Sequence, residues 1–333
     1  MIVGWLMYIE DLKFSLWADF IERDYLDNEF KELIEKKIIN GATSNPAIFK
    51  NAILNSSAYK EQLDSLDAKM SAKERYEAVA VFDIQKAADI LLPLYEKSDD
   101  GYVSIEVDPF LCDDAEATVA EGKRLFKTID RKNVMIKVPA TEAGYVAMEE
   151  LSASGIAVNA TLIFKKEQAL KCAEAFAKGS KRYGESVDTV ISIFVSRIDR
   201  AIDKTLAANA VDTALSGIYN TALIYDAIEA MNVEGCRALF ASTGVKDDSL
   251  PAYYYVEKLL AYNSVNTAPI DTINSFDADA KKEKALPVAH DVIEAHFKKV
   301  EAAGVNLDEV LNTQISEGLA AFKDAFSEIL ETL

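Results

Sequence analysis

The chain contains few of the residues that build metal sites and disulfide frameworks. Its 333 residues include three cysteines and two histidines. Cys112, Cys172 and Cys236 are odd in number and form no CxxC pair, which favours a reduced, cytoplasmic setting. His290 and His296 stand six residues apart in a helical stretch, a spacing that places them on different helix faces. The sequence therefore predicts no metal site.

Glycine and proline are scarce as well. Thirteen glycines and seven prolines are too few for a linker-rich or disordered protein, and half of the residues are hydrophobic. The length suits one domain, residues 1–333, of the size of an α/β barrel with additions. The apolar start Met1–Tyr8 carries no basic residue and is too short to span a bilayer. We expect a packed turn or helix there.

Positive charge is in deficit. The chain has 36 Lys and Arg against 55 Asp and Glu, a net charge of −19. Such a surface repels nucleic acid and anionic lipid, so neither is an expected partner. It also repels a phosphorylated metabolite at long range. A phosphate ester would need a local cluster of cations and backbone N–H groups to overcome that field.

Short apolar, β-branched runs alternate with longer amphipathic stretches. Several runs are apolar on both faces, which is typical of buried parallel strands. The predicted strands are Phe14–Phe20, Ile38–Ser44, Tyr102–Val107, Val134–Pro139, Ala157–Phe164, Thr189–Ser196, Arg237–Thr243 and Asn263–Pro269. Predicted helices include Glu74–Leu92, Ala115–Ile129, Lys165–Ala177, Arg197–Ala207 and Thr221–Met231. Eight such units predict a (β/α)8 barrel. The alternative, an open doubly wound sheet, usually has a Gly-rich phosphate loop after an early strand, and this sequence has none.

Two segments are longer than a strand–helix unit requires. The interval Pro46–Asp100 must hold one or two extra helices, and the tail after Pro269 is also helical. The tail contains one apolar stripe at alternating spacings of four and three residues, formed by Ile315, Leu319, Phe322, Phe326 and Ile329. We expect this stripe to pack on the barrel. A subunit interface is the alternative, which leaves monomer and homodimer open.

Lys137 is the most informative polar residue in the predicted strands. It lies between Ile136 and Val138, where loss of solvent favours a neutral, nucleophilic amine. A buried lysine that pairs with a carboxylate for stability is the simpler explanation. In a (β/α)8 barrel, however, the active site lies at the C-terminal ends of the strands, and other polar residues stand there too.

Carboxylates end two other predicted strands. Asp19 ends the first strand, and Glu106 and Asp108 end the third. Schiff-base chemistry on a lysine needs several proton transfers, for which positioned carboxylates are suited. Because Asp108 precedes Pro109, it is the better candidate for a simple turn cap.

The remaining candidates follow the fifth, sixth and seventh strands. Asn159 and Thr161 share one face of the fifth strand, where they either satisfy each other or orient a water and a substrate hydroxyl. Ser192 lies in the sixth strand. The hydroxyls, glycine and cation after the seventh strand suit a phosphate site, with a solvated loop as the alternative. These are Ser242, Thr243, Gly244 and Lys246.

Together these segments resemble the transaldolase family of Schiff-base, class I aldolase-type enzymes. The resemblance runs in order from Asp19 to about Pro269. Its most specific elements are the Thr-Ser-Asn-Pro sequence and the strand lysine. The matching segments are Gly41–Pro46, Val103–Asp108, Met135–Thr141, Asn159–Phe164, Ile193–Arg197 and Ala241–Gly244.

The resemblance implies a role for each matched residue. Lys137 would form the Schiff base, Glu106 would act as acid and base through a water held by Thr161, and Asp19 would take a hydroxyl proton during C–C cleavage. Binding residues would hold the dihydroxyacetone unit or the phosphate. The first group is Asn45, Asn159 and Ser192, and the second is Arg197 and Ser242. Many members have an arginine where this chain has Gly244, so the second cationic phosphate contact passes to Lys246.

The reaction implied is transfer of a dihydroxyacetone group from sedoheptulose 7-phosphate to glyceraldehyde 3-phosphate. The products would be erythrose 4-phosphate and fructose 6-phosphate, in the non-oxidative pentose phosphate pathway. No cofactor is implied, because the lysine iminium is the electron sink. One alternative is a fructose 6-phosphate aldolase-like enzyme that releases dihydroxyacetone, although such relatives are shorter and typically lack a glutamate at the Glu106 position. The other is a non-catalytic sugar-phosphate-binding barrel.

Overall fold

A computed structural model describes residues 11–246 and 249–333. Eight parallel strands form a closed barrel in which each strand pairs with the next, and the last pairs with the first. This confirms the predicted (β/α)8 barrel. The segment Met1–Tyr8, predicted as a turn or helix, lies outside the described residues. The strands are β1 Ser15–Ala18, β2 Gly41–Thr43, β3 Val103–Glu106, β4 Val134–Pro139, β5 Val158–Ile163, β6 Thr189–Phe194, β7 Cys236–Ala241 and β8 Ser264–Ala268.

Helices surround this barrel. They are α1 Arg23–Asp27, α2 Glu29–Glu35, α3 Pro46–Asn55, α4 Lys60–Ser65, α5 Ala72–Tyr95, α6 Ala115–Ile129, α7 Glu142–Ser152, α8 Lys166–Tyr183, α9 Ser196–Ala208, α10 Ser216–Met231, α11 Tyr254–Lys258, α12 Ile270–Asp279, α13 His290–Ala302 and α14 Leu307–Thr332. Helices α3 and α4 are the predicted additions after the second strand, and α12 to α14 form the predicted helical tail. Within the described ranges, no helix combines the length and apolarity needed to cross a membrane.

Several strands are shorter than their apolar runs. The run Ile38–Ser44 contributes only the three residues of β2. Ile38 and Ile39 are nevertheless buried, at 8% and 2% exposure, in the approach to the strand. An apolar run indicates burial, whereas a strand also requires a hydrogen-bonded neighbouring strand. The run therefore overestimates the length of the paired strand.

A partly buried polar cluster lies at the N-terminal end of the barrel. Arg237 of β7 donates two hydrogen bonds to the Asp100 carboxylate, at 2.7 and 3.1 Å. The indole Nε1 of Trp17 donates to the same carboxylate at 3.0 Å. A Cβ atom at Gly41 would lie 2.4 Å from that indole nitrogen, so only glycine fits beside the Trp17 ring.

Helix α14 packs across the outside of the barrel against α3, α5, α9 and β5. Three residues of its apolar stripe, Phe322, Phe326 and Ile329, are at most 5% exposed. The expectation that this stripe packs on the barrel is confirmed. Asn306 is the N-cap of this helix, and its side chain accepts a hydrogen bond from the backbone N–H of Glu309.

Candidate active site

A cavity of about 150 Å³ opens at the C-terminal ends of the strands. Most of the residues proposed from the sequence line it. They come from different strands and from the loops that follow them, as in other barrels of this type. The predicted residues that line the cavity are Asp19, Asn45, Lys137, Thr161, Ser192, Arg197 and Ser242.

Lys137 lies on β4, between the strands that carry Glu106 and Asn159. Glu106 of β3 is its register partner on one side and Asn159 of β5 on the other. The lysine is 5% exposed, and its Nζ donates to the backbone carbonyl of Ser44 at 3.1 Å. Its Nζ is also 3.5 Å from Oε2 of Glu106. A buried amine therefore faces the cavity beside a carboxyl group.

The surroundings of Glu106 alter both the pKa and the hydrogen bonding of its carboxyl group. Burial raises the pKa of its carboxyl group to about 7, although the neighbouring Lys137 opposes the shift. Neither carboxyl oxygen has a hydrogen-bond partner among residues 11–246 and 249–333. The 3.5 Å separation from Lys137 is long for a hydrogen bond between charged groups. A carboxyl group with this pKa can both donate and accept a proton near neutral pH.

Thr161 and Asn159 differ in their bonding although they share β5. Asn159 donates to Ser104 Oγ at 3.2 Å and accepts from Ser192 Oγ at 2.7 Å. It therefore ties β3, β5 and β6 together. The hydroxyl of Thr161 is buried, and within the described part of the chain it has no partner. Asn159 and Thr161 thus do not satisfy each other, which leaves Thr161 available to a water or a substrate.

A β-bulge lies directly beside Thr161. The pairing register between β5 and β6 shifts between Ala160 and Ile163. Leu162 has a φ of 61°, in the left-handed region that branched apolar residues rarely adopt. Bulges of this kind redirect side chains next to active sites.

Asp19 shares the opposite side of the cavity with two threonines. Thr43 Oγ1 donates to Asp19 Oδ1 at 2.7 Å, and it lies 2.6 Å from Thr267 Oγ1. Asn45 caps α3, because its Oδ1 accepts from the backbone N–H of Ile48 at 3.0 Å. This cap leaves the amide NH₂ of Asn45 as the group to face a substrate.

Arg197 and Ser242 also line the cavity. The Arg197 guanidinium lies 5.1 Å from the ring centre of Phe194. Burial lowers the pKa of Arg197 from its usual value. Ser242 has a φ of 55°, and its Oγ is 3.2 Å from Ser196 Oγ. Lys246 is exposed and does not line the cavity.

Sequence reasoning missed some lining residues. Thr43 stands within the Thr-Ser-Asn-Pro sequence, and Thr267 shares a strand face with Val265 of β8, so both could have been found from strand period. Phe322 lies on α14, and its position in the apolar stripe of that helix predicted packing alone. Asp108 was expected to cap a turn, and it does: its carboxylate accepts from Phe110 N at 2.9 Å and from Lys73 Nζ at 2.7 Å.

Comparison with known proteins gives one consistent result. Residues 16–333 match the model of the Transaldolase/Fructose-6-phosphate aldolase family. The transaldolase of Helicobacter pylori strain Shi470 is 44% identical over 321 residues, which covers 96% of this chain and 99% of the relative. That of Campylobacter jejuni subsp. doylei is 46% identical over 332 residues, with the same coverage. The chain belongs to the Transaldolase/Fructose-6-phosphate aldolase family.

Proposed function

We propose that this protein is a transaldolase. It moves a three-carbon dihydroxyacetone unit from sedoheptulose 7-phosphate to glyceraldehyde 3-phosphate, and so yields erythrose 4-phosphate and fructose 6-phosphate in the non-oxidative pentose phosphate pathway. One observation carries the proposal: the amine of Lys137 is 5% exposed at a polar cavity and lies 3.5 Å from the carboxyl group of Glu106, whose pKa burial raises to about 7. The relatives named transaldolase, which match along 96% of the chain, support it.

The first half of the reaction is Schiff-base formation. The Lys137 amine adds to the ketose carbonyl, and the resulting carbinolamine loses water to give an iminium. Glu106 supplies and removes the protons, through a water that Thr161 holds. The buried, unpartnered oxygens of both residues in the described chain support this assignment. Because the iminium is the electron sink, the proposed chemistry requires no metal or organic cofactor.

The second half is C–C cleavage and transfer. Asp19 takes the proton from the substrate hydroxyl, the C–C bond breaks to release erythrose 4-phosphate, and the electron pair moves into the iminium to give an enamine. The enamine carbon then attacks the aldehyde carbon of glyceraldehyde 3-phosphate, whose oxygen takes up a proton, and hydrolysis of the new iminium releases fructose 6-phosphate. Asn45, Asn159 and Ser192 hold the dihydroxyacetone unit. The phosphate binds Arg197 and Ser242, whose guanidinium and hydroxyl line the same cavity. Lys246, which is exposed, is proposed only as a long-range cationic contribution.

Release of free dihydroxyacetone is the second candidate function. The matching family covers fructose-6-phosphate aldolases as well as transaldolases. Transfer is favoured because Glu106 lies beside Lys137 and because the relatives named transaldolase match 99% of their own length. Comparing products with and without an acceptor aldehyde separates the two. Dihydroxyacetone formed at the full rate without acceptor would identify an aldolase.

The Schiff base can be tested by borohydride reduction in the presence of fructose 6-phosphate. Mass spectrometry of peptides should locate a reduced three- or six-carbon adduct on Lys137. The adduct should be absent from Lys137→Ala and present in Lys73→Ala, because Lys73 pairs with Asp108 outside the cavity. An unmodified Lys137 in the parent protein would refute the mechanism.

We further propose that residues 1–333 act as one cytoplasmic domain, as a monomer or homodimer. The packing of α14 against α3, α5, α9 and β5 supports one domain. The three buried, free cysteines suit a reducing compartment. Light scattering at several protein concentrations would settle the oligomeric state.

A further inference from the structure

An aromatic ring from outside the barrel covers the reactive lysine. Phe322 belongs to α14, which follows all eight strands. Its side chain lines the catalytic cavity and is 5% exposed. The Nζ of Lys137 lies over this ring, 5.8 Å from its centre. The mechanism described above assigns no task to Phe322.

The turn before Phe322 brings α14 unusually close to the site. A Cβ atom at Gly318 would lie 2.9 Å from Leu162 Cδ2 and 3.5 Å from Arg197 Nη1. Leu162 is the left-handed residue of the β5 bulge beside Thr161. The absence of a side chain at Gly318 therefore lets the helix backbone approach the strand ends.

The turn after Phe322 fixes the helix on the other side. Phe326 packs edge-on against Tyr76 of α5, with ring centres 5.3 Å apart, and is 3% exposed. Its ring does not line the cavity. With close contacts on the turns before and after it, the Phe322 ring has a defined position above Lys137.

After C–C cleavage, the three-carbon enamine on Lys137 has two fates. In transfer, its carbon attacks the aldehyde carbon of the acceptor, the aldehyde oxygen takes up a proton, and the resulting iminium is hydrolysed to release the ketose product and the Lys137 amine. In hydrolysis, the enamine carbon first takes a proton to give an iminium, and water then adds to the iminium carbon and loses a proton. The carbinolamine collapses with cleavage of the C–N bond, which returns the Lys137 amine and releases dihydroxyacetone. Both routes therefore end with water adding to an iminium on Lys137, but only in the second does this happen before the acceptor has been joined.

We propose that Phe322 shields the three-carbon enamine on Lys137 from protonation and hydrolysis until the acceptor aldehyde binds, and so directs the three-carbon unit to the acceptor. Phe322 is in this sense a specificity-determining residue for transfer over hydrolysis. The inference rests on the proposed transaldolase function. An apolar ring over the amine suits this task because it occupies space and offers water no hydrogen bond.

The readout is the ratio of dihydroxyacetone released without acceptor to transfer with acceptor, measured with fructose 6-phosphate as donor. Phe322→Ala should raise this ratio at least about tenfold, and Phe322→Leu, which fills part of the space, about threefold. Phe322→Tyr, which keeps the ring, should stay within about twofold of the parent. If the alanine variant does not fold, the leucine variant carries the test.

Phe326→Ala is the matched control, since it makes the same change one turn further along α14. It should lower the melting temperature and leave the ratio unchanged. A rise in the Phe326→Ala variant equal to that of Phe322→Ala would mean that loosening of the helix is responsible, and would overturn the proposal. An unchanged ratio in folded Phe322→Ala and Phe322→Leu would also overturn it.

Failure of the proposed function would look different. If the parent protein transfers no dihydroxyacetone and forms no borohydride adduct on Lys137, the proposed transaldolase activity itself is wrong. If the parent transfers and is trapped but the Phe322 variants keep its ratio, only the role of Phe322 is wrong.

Discussion

The two ends of the barrel both contain buried charges, but they bond them differently. At the N-terminal end, the Asp100 carboxylate accepts from both guanidinium arms of Arg237 and from the Trp17 indole, at 2.7 to 3.1 Å. At the C-terminal end, Glu106 lies 3.5 Å from Lys137, and in the described residues neither of its oxygens accepts a hydrogen bond. Each end therefore contains an acid–base pair. The hydrogen bonds of the pair are complete at the N-terminal end and incomplete at the C-terminal end.

The difference indicates where stability and function reside. A buried ion pair with complete hydrogen bonds is fixed in its charge state and can serve as a structural plug. A buried carboxyl group without such bonds has a shifted pKa and a free capacity to exchange protons, which is typical of active sites. The largest expected effects on activity therefore lie at one end, and the largest on stability at the other.

Replacing Glu106 should have the largest effect on activity. Glu106→Gln should lower turnover by about 10²–10⁴-fold, because a glutamine cannot exchange protons with the Schiff-base intermediates. Asp108→Asn is the matched control, since Asp108 lies two residues further along and caps a turn. Steady-state transfer assays should show little change in that control. Equal losses in the two variants would indicate that disturbance of the strand end, not proton transfer, lowers the rate.

Breaking the fully hydrogen-bonded Arg237–Asp100 pair should have the opposite effect: stability should fall and activity should be retained. Arg237→Met leaves the Asp100 carboxylate buried without its cation, which should cost about 3–5 kcal/mol in the free energy of unfolding. Turnover per folded molecule should stay near that of the parent. Denaturant unfolding and transfer assays together measure both quantities.

The double variant Arg237→Met/Asp100→Leu sharpens this comparison. Once both charges are gone, no uncompensated carboxylate remains, so much of the lost stability should return. A double variant as unstable as the single one would show that the pair contributes through packing more than through charge.

The phosphate end of the cavity should show a smaller effect. Arg197→Ala should raise KM for phosphorylated substrates by about 10–100-fold, because a hydrogen bond to a charged group contributes about 1.5–3 kcal/mol. Lys246→Ala should raise KM no more than about threefold, since Lys246 is exposed away from the cavity wall. Assays with fructose 6-phosphate would show both. A larger effect at Lys246 would mean that its loop folds onto the bound phosphate.

The fold could be predicted almost completely from the sequence, because buried parallel strands and the helices between them have different hydrophobic patterns. Helix α6 was predicted with both of its observed ends, Ala115 and Ile129. Strand ends were less accurate because buried apolar residues continue past the last ladder hydrogen bond, as at Ile38 and Ile39.

The site was predictable where strand period fixes the direction of a side chain. Lys137, Thr161 and Ser192 face the cavity because they lie on inward positions of neighbouring strands. Phe322 was not predictable as a site residue. It is more than 180 residues from Lys137 in sequence, and only the packing of α14 brings the two together. The roles proposed for Lys137, Thr161, Ser192 and Phe322 remain predictions.

The pH dependence of stability should show the smallest effect, and it follows from the same incomplete bonding. Burial raises the pKa of Glu106 to about 7 in the folded protein, whereas an unfolded glutamate has a pKa near 4.3. Between these values the folded state binds more protons than the unfolded state. The associated stability is therefore complete below about pH 4.3 and is lost as pH rises through about 7. Asp199, whose pKa burial also raises to about 7, adds in the same direction.

Glu106→Gln should accordingly lose less stability than the parent between pH 5 and 8, by on the order of 2–3 kcal/mol. Adding Asp199→Asn should flatten the profile further, because the second titrating carboxyl group is then removed. Urea unfolding at several pH values measures the difference. If the parent and Glu106→Gln profiles ran parallel, Glu106 would have an ordinary pKa, and the contrast between the two ends of the barrel would rest on hydrogen-bond geometry alone.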